Sequence, residues 1–109
     1  MTNQVVELAP FHLADGKTEV ELLEASNRFQ KEFLDGFEGF VRRSLVKHAD
    51  GAYADIVVWA DDSSSKKAVA AAGQHDAGQA YFSLADMTRE HQPRKAGAME
   101  FFQVVGTYG

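Results

Sequence analysis

Residues 36–59 read GFEGFVRRSLVKHADGAYADIVVW, and this stretch decides the fold. Phe40 to His48 and Tyr53 to Ala60 are two runs rich in β-branched and aromatic residues, which predicts two strands. Between them His48-Ala49-Asp50-Gly51 carries an Asp-Gly turn signal, so the strands form an antiparallel hairpin. Strand parity is informative here. In the second run Ile56 and Val58 fall on one face, and Val57 and Trp59 on the other. A sheet with one wet face would alternate apolar and polar residues; this one asks for cover on both sides.

Outward from the hairpin, Val5 to Leu13 reads as a first strand, and Asp15-Gly16 as a turn. Thr18 and Glu21 have the spacing of a capping box, so a helix begins there. Leu22, Ala25, Phe29 and Phe33 follow the helical step through to Leu34, and Gly36 and Gly39 end the helix. After the hairpin, Asp62 and Ser63 to Ser65 suit a helix start, and Lys66 to Ala72 continues it. Gly73 and Gly78 divide this region, giving a second helical piece from Gln79 to about Met87. Glu90 to Gly97, with Pro93, reads as a loop, and Ala98 to Val105 as the last strand. In that strand Met99, Phe101 and Val105 share one face, while Phe102 and Val104 take the other. The order is β-α-β-β-α-β in one domain, residues 1–109. Two helices cover one face of such a sheet, and the sheet of a second copy covers the other, so a homodimer is expected.

The composition excludes several function classes. With 11 Lys and Arg against 16 Asp and Glu, the net charge is −5, and no basic stripe is present. A nucleic-acid binder needs clustered cations to neutralise phosphates, so neither nucleic acid nor an anionic membrane is expected as a partner. Cysteine is absent, which removes disulfides, thiolate catalysis and zinc–sulfur sites. Residues 1–10 are too polar for a signal peptide and no stretch approaches a membrane span; the expected location is cytoplasmic.

With these elements in place, the chain resembles the dimeric α+β barrel superfamily, and within it the antibiotic biosynthesis monooxygenase-like branch. The resemblance spans nearly the whole chain. It rests on Gly36-Phe37-Glu38-Gly39-Phe40 leading into Val41-Arg42-Arg43-Ser44-Leu45, on Tyr53 to Trp59 as a strand ending in Trp, and on an Ala-rich helix followed by Tyr81-Phe82. It implies a ferredoxin-like α+β monomer with an antiparallel sheet, paired into a barrel, with a ligand pocket between sheet and helices. Members include cofactor-independent monooxygenases of phenolic polyketides, quinol monooxygenases and haem-degrading enzymes. The haem-degrading pattern calls for an Asn on the first strand and a Trp in the second helical region. Here the first strand has no Asn and Trp59 lies at a strand end, so haem binding is the lesser expectation.

The candidate site follows. Trp59, Tyr81, Phe82 and Phe11 are the candidate substrate-binding residues: aromatic walls, with an indole N–H and a phenol hydroxyl able to orient an oxygen atom. His75 is the candidate catalytic base, an imidazole able to take a proton from a phenol near neutral pH. No metal site is expected, since His12, His48, His75 and His91 fit no ligand spacing, and no cofactor is expected. Arg42 and Arg43 point to opposite faces of their strand, so one of them must pair within the fold, with Glu7, Glu100 or Asp55 as partner. The expected activity is cofactor-free monooxygenation of a small phenol- or hydroquinone-like aromatic. The alternative is a non-catalytic ligand-binding or structural dimer.

Overall fold

β1 (Val5–Leu13) is the strand on which the sheet is assembled. In the computed structural model, which describes residues 3–86 and 99–109, it is followed by α1 (Glu19–Glu32) and a single 3-10 turn at Leu34–Gly36. The hairpin β2 (Phe40–Lys47) and β3 (Tyr53–Trp59) comes next, then α2 (Asp62–Ala72) and α3 (Asp76–Phe82). Two short strands, β4 (Ala85–Asp86) and β5 (Glu100–Gln103), complete the described elements. All pairings are antiparallel. β3 lies between β2 and β1, and the far edge of β1 is shared by β5 along Val5–Leu8 and β4 along His12–Leu13. The result is a ferredoxin-like α+β fold.

Each element has a local cause. The Thr18 hydroxyl accepts the Glu21 N–H at 3.2 Å and so caps α1. Leu22, Ser26 and Phe29 then recur on its inward stripe. The β2–β3 hairpin closes where expected: the Asp50 carboxylate accepts the Ala52 N–H at 2.8 Å, and Gly51 takes a φ of 94° that side chains disfavour. α2 opens on Asp61, whose carboxylate accepts the Ser64 N–H at 2.7 Å.

The sheet-to-helix side forms the core. Phe11, Tyr53, Val57 and Trp59 from the strands meet Leu22, Phe29, Ala68, Ala72 and Tyr81 from the helices. Strand register places Val6, Leu8, Ala54, Ile56, Val58, Val46 and Phe102 on the opposite face, with Arg42 and Glu100 beside them.

The helical region after β3 departs from the sequence expectation. The second piece starts at Asp76 rather than Gln79, because the His75 ring accepts the Ala77 N–H at 3.1 Å and caps it. It ends at Phe82, because the chain turns at Ser83 to pair Ala85–Asp86 with β1. Gly78 lies inside α3 rather than ending a helix. A Cβ there would drive into the Ala72 backbone carbonyl, so glycine sets how closely α3 approaches α2. Met87, the expected Glu90–Gly97 loop with His91, and Ala98 lie outside the described residues. β5 is shorter than the expected strand, pairing with β1 only over Glu100–Gln103.

Candidate functional site

Inward parity on three strands delivers three charged side chains to the helix-covered side of the sheet. β1 supplies Glu7 between Val5 and Ala9, β3 supplies Asp55 between Tyr53 and Val57, and β2 supplies Arg43 opposite Val57. Glu7 and Asp55 are buried, at 7% and 8% exposed. Charges so placed require partners, and two separate arrangements provide them.

The first is built on Arg43. Its Nη1 donates to Asp55 Oδ1 at 3.0 Å, its Nε to Gln30 Oε1 at 3.1 Å, and its Nη2 to the Ser26 carbonyl at 3.1 Å and the Ser26 hydroxyl. The guanidinium also lies 5.6 Å from the Phe29 ring centroid and 5.4 Å from that of Tyr81. The Tyr81 hydroxyl completes the set by donating to Asp55 Oδ2 at 2.7 Å. Burial pushes the Asp55 carboxyl above its ordinary range, against the opposing pull of Arg43 and the Tyr81 hydrogen bond. Burial and the neighbouring Asp55 charge likewise raise Tyr81, so its phenol stays protonated and acts as a donor.

The second arrangement is smaller. The Trp59 indole Nε1 donates to Glu7 Oε1 at 3.0 Å, and among the described residues this is the hydrogen bond that Glu7 makes. Burial raises the Glu7 carboxyl, partly offset by the indole hydrogen bond and reinforced by the charge of Asp55.

Between these groups lies a cavity of about 190 Å³, walled by aromatic and aliphatic side chains from β1, β3, α1, α2 and α3. Phe11, Trp59, Tyr81 and Phe82 all line it, together with Glu7, Arg43, Asp55 and Phe29. The rings brace one another: Phe11 stacks on Tyr53 and meets Tyr81 edge-on, and Phe29 stacks on Tyr81. Phe82, 42% exposed, stands at the rim.

His75 is placed elsewhere. Its Nδ1 accepts the Ala77 N–H, and its ring packs at 5.3 Å against Phe33, which lines the cavity where His75 does not. Arg43 pairs with Asp55 rather than with Glu7 or Glu100, and Arg42 lies on the opposite sheet face. Glu7 is the cavity group that residue-by-residue reading leaves without a functional role. The signal was nonetheless in the sequence, as a lone carboxylate at an inward position of an apolar strand. Ser26 and Gln30 carried no such signal, since polar residues on a helix are ordinary. Among the described residues no group of three or more His, Asp or Glu is disposed to hold a metal, and no helix is long and apolar enough to cross a membrane.

No family model and no curated protein sequence matches the chain. Solved structures do. SnoaB, a cofactor-independent oxygenase from Streptomyces nogalater, is 21% identical with a TM-score of 0.72, covering 97% of each chain. A protein of Caulobacter crescentus, assigned as an antibiotic biosynthesis monooxygenase, is 15% identical with a TM-score of 0.68, covering 96% of this chain and 92% of that one. A protein of Nitrosomonas europaea with the same assignment is 12% identical with a TM-score of 0.67, covering 100% of this chain and 97% of the other. The chain therefore has the fold of the antibiotic biosynthesis monooxygenase-like dimeric α+β barrel proteins.

Proposed function

We propose that this protein is a homodimeric, cofactor-independent monooxygenase of a small hydroxylated aromatic, bound in the cavity between sheet and helices. The observation that carries the reading is the cavity itself: an aromatic-walled space of about 190 Å³ into which one indole and one phenol are fixed by buried carboxylates. The engineered cavity that admits benzene is of comparable size, about 150 Å³, so one or two fused rings are the scale of ligand. The cofactor-independent activity named for SnoaB, on the same fold, adds support.

In this reading Phe11 and Phe82 wall the substrate, and Trp59 and Tyr81 hold its orientation. A base removes the hydroxyl proton, and the electron pair stays on oxygen as an aryloxide. The aryloxide reduces dioxygen. For a phenol bearing hydrogen at the para carbon, one oxygen atom enters that carbon to give a p-quinone. The other leaves as water with two hydrogens from the substrate; the substrate loses four electrons and dioxygen gains four. The protein contributes position and exclusion of water. The sequence points to His75 as the base; its Nδ1 accepts the Ala77 N–H, so the neutral ring carries its proton on Nε2, and to act as a base it must release that cap.

Oxygen uptake by the purified protein with phenols and hydroquinones, in the presence of a chelator, tests the reading. Enzyme-dependent uptake with one dioxygen consumed per quinone formed from a phenol bearing a para hydrogen, and no hydrogen peroxide released, is the expected result. A ligand that binds and is recovered unaltered under air overturns it in favour of a binding protein. Uptake unchanged in His75→Ala removes His75 from the mechanism.

A further inference from the structure

Two facts about the cavity bear on what it admits. The guanidinium of Arg43, the charged donor in its wall, is already engaged: its charge is paired with Asp55, and four hydrogen bonds run from it to Gln30, Asp55 and Ser26. Drawing it toward a ligand would strand a buried Asp55 carboxylate, a cost that an exposed ion pair does not carry. Glu7, by contrast, reaches the same cavity with one carboxyl oxygen held by Trp59 and the other without a hydrogen bond from any described residue. We infer that Glu7 is the anchor of the ligand, taking the hydroxyl of a neutral hydroxyaromatic on its second carboxyl oxygen, and that the cavity excludes the carboxylate of the same shape. The inference rests on the reading of the cavity as the aromatic site and extends it to a specificity determinant.

Donor–acceptor matching discriminates when Glu7 is ionised, and desolvation of the anion discriminates when Glu7 is protonated. A hydroxyl both donates and accepts, so it matches an ionised or a protonated carboxyl. An anionic ligand only accepts. It would also be desolvated beside Glu7 and Asp55, with no uncommitted cation among the described wall residues to repay it. The raised position of the Glu7 carboxyl fits a group that shares or takes a proton from such a hydroxyl.

Trp59 is the single tryptophan of the chain and is bonded to Glu7, so its one indole N–H resonance reports the anchor directly. Titration of the 15N-labelled protein with p-cresol and with p-toluate, near neutral pH, supplies the test. The expected result is a saturable shift of that resonance with p-cresol and binding of p-toluate weaker by about tenfold or more, a difference of about 1.4 kcal/mol. In Glu7→Met, which keeps the length of the side chain and removes both carboxyl oxygens, p-cresol binding should fall by about tenfold. Equal affinity for the two probes, unchanged p-cresol binding in Glu7→Met, or no shift with either probe overturns the assignment. The comparison of the two probes on the unsubstituted protein needs no variant to fold. It is also independent of turnover. A preference for p-cresol with no oxygen uptake from phenols that bear a para hydrogen overturns the oxygenase and leaves the anchor, whereas uptake from those phenols without the preference does the reverse.

Discussion

Asp55 carries the largest electrostatic load of any single side chain in the cavity wall, because it compensates Arg43 and receives the Tyr81 phenol at once. In Asp55→Asn the amide still accepts from Tyr81, but Arg43 keeps its burial and loses its counter-charge. A loss of about 3 kcal/mol in urea denaturation is expected, in the range for breaking a buried pair. Replacing both partners, Asp55→Leu with Arg43→Met, should cost less than the two single changes added together. Glu7 responds with the opposite sign. Its folded carboxyl titrates above its unfolded value, so between those two values the folded state binds more protons, and stability falls as pH rises through the interval. Glu7→Gln removes that slope. Melting temperatures taken at roughly pH 5 and pH 8 should therefore show the variant gaining on the native protein at the higher pH. A variant that instead loses ground to the native protein as pH rises would show that Glu7 is not held neutral by burial.

At the scale of elements, what could be read in advance tracks how local the cause is. β1 matches its expected span from Val5 to Leu13, and the hairpin strands match to within a residue. Those spans are set by runs of β-branched and aromatic residues and by an Asp-Gly turn that acts within four residues. The Arg43–Asp55 pair was within reach for the same reason, since parity alone puts both on the inward face. The start of α3 was not within reach, because a His cap at position 75 has no distinctive spacing; nor was β4, since two residues paired to β1 leave no periodic trace. Gly78 shows the same limit. Its sequence neighbourhood suggests a helix break, whereas its role is a close tertiary approach to Ala72. Gly78→Ala tests that role. In an isolated helix the change would stabilise by up to about 1 kcal/mol. Here the added Cβ must push α3 from α2, and a net loss of about 2 kcal/mol is expected in chemical denaturation. Because Tyr81 lies on α3, p-cresol affinity should drop as well, a change that a simple propensity effect would not produce.

At the scale of the whole molecule, the sheet has two unlike sides. The helix-covered side encloses the cavity. The other presents Val6, Leu8, Ala54, Ile56 and Val46 in register around a Val58 already buried in the single chain, with Phe102 of β5 still 46% exposed. The proposed homodimer covers this side with the same surface of a second copy, so each exposed apolar residue is used twice about a two-fold axis. Charge placement agrees with such a pairing: Arg42 lies toward the β2 edge of the face and Glu100 toward the β5 edge, and an isologous contact can bring unlike edges together. Ile56 sits centrally, between Leu8 on β1 and Ser44 on β2. Ile56→Glu would place a carboxylate at the middle of the proposed contact in both copies, where desolvation and like-charge repulsion add. Light scattering coupled to size-exclusion chromatography should report a dimer for the native chain and a monomer for the variant at low micromolar concentration. A native monomer under those conditions would remove the dimer. An Ile56→Glu dimer would move the contact away from this face. Either result leaves the cavity chemistry to be judged by its own tests, because Glu7, Trp59, Arg43 and Asp55 all lie on the side of the sheet that the helices cover.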